Sequence, residues 1–152
     1  MVVLAVLGRG QFRKQRAGRG FYSVVEAEVR LDQSASILVA CPLKTSGGSQ
    51  GSVVELNQQT AVRYEEALRL GTLFGLAQAN LSHAAVTIRS LSLRPEDSTQ
   101  TSVAVAAVLA VWNAVNHTPE TLLLSKLEDL VFSSAGAPEV LPDFGRLTSA
   151  PP

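Results

Sequence analysis

The chain has 152 residues, with 13 basic and 13 acidic side chains, 46% hydrophobic residues and one cysteine. That length suits a single domain burying roughly two thirds of its unfolded surface without disulfides or a structural metal. A sequence pI near 6.7 excludes a uniformly polybasic nucleic-acid binder, for which values above about 9 are usual.

The charge is nevertheless polarised. Arg9, Arg13, Lys14, Arg16 and Arg19 fall within the first 20 residues, which carry no acid, so eight basic and thirteen acidic side chains remain in the other 132. Charged residues make up 17% of the chain, below the roughly 25% of ordinary domains, which implies apolar surface that meets a partner. Residues 2–7 are apolar and β-branched and lack the basic leader of a secretory segment, so they predict a strand. The glycine- and arginine-rich residues 8–20 predict a basic loop. From Phe21 the pattern alternates: Val25, Ala27, Val29 and Leu31 point one way, Val24, Glu26, Glu28 and Arg30 the other, as in a half-buried strand. Turn formers at Asp32–Ser36 lead to Ile37–Cys41, expected as an antiparallel partner strand. Cys41 within that apolar run suits a buried thiol in a reducing, cytoplasmic compartment. Residues 44–52 are small and polar and predict an exposed loop.

Helical spacing from about residue 57 or 60 to 79 places Tyr64, Ala67, Leu68, Gly71, Phe74 and Gly75 on one face. Glu65, Glu66 and Arg69 form its solvated side. A strand follows over residues 85–93, and Asp97, Ser98 or Thr99 caps a second helix running to about residue 116. The run from Val103 to Val115 is apolar except for Asn113 and too short for the ~20 residues of a membrane span. A helix apolar around its circumference must be buried on more than one side, so it packs on the sheet, the first helix and either the C-terminal segment or a second subunit. Val105, Val108, Leu109 and Trp112 are the candidate interface residues. Leucines and Phe132 over residues 122–132 form a further short element. The domain is thus expected to occupy residues 1–132, with 133–152 a loosely ordered tail.

The local chemistry is sparse. Gly47-Gly48-Ser49-Gln50-Gly51 fits the Gly-x-Ser-x-Gly pattern but lacks the strand-to-helix context of a nucleophile elbow. His83 and His117 have no Cys, Asp or Glu at metal-ligand spacing. No cofactor, metal, nucleotide or membrane is expected. The basic segment is the candidate RNA-binding site, with Arg13, Lys14, Arg16 and Arg19 on phosphates and Phe12, Phe21 or Tyr22 stacking on unpaired bases.

The segment FRKQRAGRGFYSVVEAEVRL, residues 12–31, resembles the opening of domain IV of translation elongation factor G. Glu66-Ala67-Leu68, Gly71, Leu73 and Gly75 resemble that domain's first helix, and Asp97-Ser98-Thr99 with Val105-Ala106-Ala107 its second. The resemblance implies an α+β fold: a two-layer α/β sandwich in β-β-β-α-β-α order, of the class named after the second domain of ribosomal protein S-five, with a left-handed crossover. There are departures. The chain has no Gly-x-x-x-x-Gly-Lys-Ser/Thr phosphate loop, Gly47-Gly48 lacks the Ile-Pro of the factor's tip loop, and Arg94 stands where a His would fall. The expected function is a non-enzymatic binding or assembly module that self-associates into a homo-oligomer. RNA or ribosome binding through the basic segment is the alternative, and a small enzyme of the same superfamily the third.

Overall fold

A computed structural model describes residues 5–16, 18–40, 44–47, 52–55, 58–94 and 96–148. Strands β1 (Ala5–Arg16) and β2 (Arg19–Leu31) form a long antiparallel hairpin, and β2 pairs on its other side with β6 (Ala84–Leu93), also antiparallel. Two short strands, β3 (Ser36–Val39) and β4 (Lys44–Gly47), pair end to end along the far edge of β6, both parallel to it, and β5 (Ser52–Glu55) returns antiparallel to β4. Helix α1 (Gln58–Gln78) makes the crossover to β6, and α2 (Gln100–Ala114) lies beside it on the same sheet face. This is the α+β two-layer sandwich expected of the ribosomal protein S-five second-domain-like class, with a β4–β5 hairpin inserted before α1.

Three expectations change. The stretch 8–20 is no loop: β1 continues to Arg16, and the reversal is confined to the residues just before Arg19. The cause is long-range, because Gly8 and Gly10 lie directly under α2. A β-carbon on Gly8 would stand 2.1 Å from the Ala110 carbonyl oxygen, and one on Gly10 1.9 Å from that of Ala106. These glycines act as close-approach points within a strand rather than as breakers. Second, β3 pairs parallel with β6 and not antiparallel with β2, both of whose edges are already taken. Third, part of the expected loop 44–52 is paired strand; Cys41 and the Ser49 motif lie outside the described residues.

Helix α2 is enclosed. Thr99 and Ser102 close a reciprocal capping box at its start, with the Thr99 hydroxyl accepting from the Ser102 amide at 3.0 Å and the Ser102 hydroxyl from the Thr99 amide at 2.9 Å. On the α1 side, a β-carbon on Gly71 would come within 2.0 Å of the Ala104 carbonyl oxygen. The Trp112 indole donates to the carbonyl of Gly75 at 3.0 Å. Arg69 pairs with Glu65 at 3.1 Å on the half-exposed side of α1, as expected, and also donates to the Ile37 carbonyl at 2.7 Å, tying α1 to β3. The remaining side of α2 is closed by helix α3 (Thr121–Ser133), which buries Leu127 and Val131 in the common core. Val105, Val108 and Trp112 are 1%, 0% and 1% exposed, and Leu109 is partly buried, so these candidate interface residues are core.

The stretch after residue 133, expected to be loosely ordered, is pinned at three points among the described residues. Pro138 accepts from the Gln100 amide at 2.9 Å, Glu139 pairs with Arg63 at 2.9 Å, and Phe144 stacks on Phe74 at 4.6 Å between centroids. At the outer edge of the sheet, Asn113 donates its side-chain amide to the Arg9 carbonyl at 2.6 Å.

Replacing Gly10 with Ala drives a methyl group into backbone that has no side-chain freedom to retreat. It is expected to destabilise the fold by at least about 2 kcal/mol in urea unfolding followed by far-UV circular dichroism, the range of overpacked cores; wild-type stability would disprove the close approach.

Candidate nucleic-acid interface

The hairpin sorts the basic segment onto two faces. Even-numbered side chains of β1 and odd-numbered ones of β2 point toward the helices, and the others point outward. Phe12 and Phe21 therefore face inward and are each 3% exposed. Their rings meet Phe132 of α3 edge-on at 5.8 and 5.5 Å, in a three-ring cluster. Neither can stack on a base, which corrects that part of the expected site. Lys14 and Arg16 also lie on the inner side, where Lys14 pairs with Glu128 and Arg16 with Asp129 at 3.4 Å. The Arg16 guanidinium lies 4.9 Å over the Phe132 ring, and that of Arg19 5.7 Å over Phe21.

The outward set is different. Arg13 sits opposite Tyr22 in the β1–β2 register. Tyr22 is fixed from behind by the start of α2: its amide donates to the Asp97 carbonyl at 2.7 Å, and its carbonyl accepts from the Ser98 hydroxyl at 2.6 Å. The same hydroxyl accepts from the Arg94 amide at 2.9 Å. Arg94 is thereby set with its guanidinium 4.3 Å over the Tyr22 ring, inside cation–π range. Arg13, Gln15, Tyr22, Arg94 and Asp97 line a shallow cleft of about 340 Å³. Arg94, noted in the sequence only as a departure from the family pattern, is a site residue. Its signal was its place at the exit of β6, directly before the Asp97-Ser98 turn that holds Tyr22.

Farther along the outer face acidic side chains stand among the cations. Arg9 stands across from Glu26, and Glu28 accepts from Arg89 at 3.0 Å and from Arg30 at 3.4 Å. The Arg89 hydrogen bond, helped by the charges of Arg89 and Arg30 and opposed by desolvation, holds the Glu28 carboxyl below its ordinary pKa. Among the described residues Arg9, Arg13, Arg19, Arg94 and Lys126 form no ion pair, and three of these five, Arg13, Arg19 and Arg94, gather at the hairpin end. Asp97 stands beside it, its carboxylate oxygen 3.4 Å from where a Gly20 β-carbon would sit. A wider hollow of about 550 Å³, touched by His117, Glu120, Leu123 and Lys126, mixes both charges and gathers neither.

Among the described residues there is no cluster of three or more His, Cys, Asp or Glu able to hold a metal, and no helix long and apolar enough to cross a membrane. His117 packs its ring 5.5 Å from Trp112.

No protein-family model matches the sequence, and no curated protein matches it. Among solved structures, a protein of Thermus thermophilus superposes with a TM-score of 0.54 at 16% identity, covering 83% of this chain and 20% of the Thermus chain. Phosphomevalonate kinase of Streptococcus pneumoniae, in complex with phosphomevalonate and AMPPNP, aligns over 90% of this chain and 44% of the kinase at 17% identity and a TM-score of 0.32. A second structure of that kinase gives 0.35 at 17% identity, over 90% and 42%. The Thermus likeness is one of fold, and this chain spans a fifth of that protein's length. The kinase superpositions are too loose to bear on chemistry.

Glu28 supplies a pH test of the outer face. Its depressed pKa means its ion pairs stabilise the fold above the unfolded-state value of about 4.3, and that contribution disappears as pH falls through the lower folded-state value. The melting temperature of Glu28→Gln is therefore expected to lie below wild type by a constant margin above about pH 5, with the gap closing as pH falls below the unfolded-state value. A gap that widens on acidification would contradict the assignment.

Proposed function

We propose that the chain is a non-enzymatic binding module, related to domain IV of elongation factor G, that docks unpaired RNA in the cytoplasm at the hairpin end of its sheet. The observation that carries this is the Arg13–Tyr22–Arg94 group: the Arg94 guanidinium lies over one tyrosine that backbone bonds hold to the start of α2, Arg13 stands across from that tyrosine and lines the same cleft, and neither arginine has an ion-pair partner. Guanidinium edges donate to phosphate oxygens, and their planes, like the tyrosine ring, stack on bases that are not paired. Support for the kinship comes from the 12–31 segment and from Asp97-Ser98, the residues that build this end of the molecule. Self-association is not part of this reading, because Val105, Val108 and Trp112 of the expected α2 interface are buried inside the chain and only Leu109 is partly exposed. With a pI near 6.7 and few free cations, binding is expected to be weak and local rather than a broad electrostatic coat.

The test is fluorescence anisotropy with a labelled single-stranded oligonucleotide of about ten residues, titrated between roughly 50 and 200 mM salt. Wild type is expected to bind at the low end and release as salt rises. Arg13→Gln with Arg94→Gln removes two phosphate contacts and is expected to flatten the log–log salt slope by about 1.4, at about 0.7 per contact on a single strand. Absence of binding by wild type at low salt rejects the function.

A further inference from the structure

The hairpin end has a second cleft on its other face. About 300 Å³ in volume, it is lined by Arg16, Arg19, Phe21, Phe132 and Ala135. Its two arginines lie over aromatic rings, as Arg94 does on the outer side, so all three cation–π pairs among the described residues surround one turn. Between the two clefts lies Gly18, at φ 78°, with no heavy atom within 4 Å of where its β-carbon would point. The inner cleft differs in one respect: Asp129 pairs with Arg16 at 3.4 Å, with 60% of the arginine side chain and 68% of the aspartate side chain exposed. Ion pairs this exposed are weak, whereas a phosphate diester offers a guanidinium two oxygens in bidentate geometry.

We propose that the RNA track crosses the hairpin turn and that the inner cleft is a second subsite, where Arg16 and Arg19 hold the next phosphodiester of an unpaired strand after it displaces Asp129 from Arg16. Helix α3 then has two roles. Through Phe132 it builds the floor of the subsite, and through Asp129 it occupies the subsite with a carboxylate until nucleic acid replaces it. The proposal rests on RNA docking at Arg13, Tyr22 and Arg94, and adds that a strand long enough to pass the turn gains contacts a short one cannot reach.

The experiment compares the full chain with its Asp129→Asn, Arg19→Gln and Arg13→Gln/Arg94→Gln variants. Each is titrated by anisotropy with labelled oligouridylate of about four and about ten nucleotides, with circular dichroism confirming that the variants fold. Asp129→Asn frees one cation, so it is expected to bind the longer strand several-fold more tightly and to steepen its salt slope by about 0.7. Arg19→Gln is expected to weaken the longer strand several-fold and flatten its slope by a similar amount. If Arg13→Gln/Arg94→Gln loses binding while Asp129→Asn and Arg19→Gln match wild type on both strands, the second subsite is overturned and RNA docking stands. If wild type binds neither strand, both fail.

Discussion

The architecture depends on how closely one uncharged helix lies against its neighbours. Helix α2 rests on β1 at the two glycines of the strand and on α1 at Gly71, with backbone against backbone, so no flexible side chain can absorb an error at these contacts. Interiors at this density transmit displacement instead of cushioning it. The position of β1 therefore sets the position of α2, and α2 in turn sets α1 through Gly71 and the Trp112 indole bond to Gly75. The apolar character of α2 around its whole circumference follows from this enclosure.

The same helix builds the basic end of the molecule. The first turn of α2 is where Ser98 and Asp97 grip the backbone of Tyr22, and where Ser102 meets Ser23 across the layer at 2.8 Å. A hairpin of this length would ordinarily be mobile at its tip. Here its outer half is bound to the start of α2, and its inner half is bound to α3 by three aromatic rings and two ion pairs. The arginines are consequently held by rigid elements, which lowers the conformational entropy lost when they engage a ligand.

Much of this was legible in the sequence wherever the signal was local. The alternation from Val24 to Leu31, the helical spacing around Leu68 and Gly71, and the Asp97-Ser98-Thr99 cap each depend on neighbours within a turn or two, and each element formed. The failures share a cause. Gly8 and Gly10 look like breakers until Ala106 and Ala110, about a hundred residues away, are laid on top of them. Once they are, Gly8, Gly10 and Phe12 become the inward half of a strand whose outward half is Arg9, Gln11 and Arg13. Phe12 and Phe21 looked like stacking rings because composition does not say which face of a strand a residue occupies. The apolar surface of α2 called for a cover from either the C-terminal segment or a second subunit, and α3 supplies it; the choice between the two was not legible because the docking of a later element leaves no local mark. Arg94 joins Tyr22 only through the β2–β6 pairing and the turn that follows it.

Among the described residues, strand β1 leaves one side of a twelve-residue ladder open. An edge of that length is a template onto which another polypeptide can add itself, one backbone bond at a time. Asn113 interrupts it. By placing an amide on the Arg9 carbonyl, the last turn of α2 occupies one acceptor in the middle of the row, and the cations Arg9, Arg13, Lys14 and Arg16 repel an identical strand that would approach it. A core helix thus reaches around the sheet's rim and closes one position of the edge onto which another strand would add.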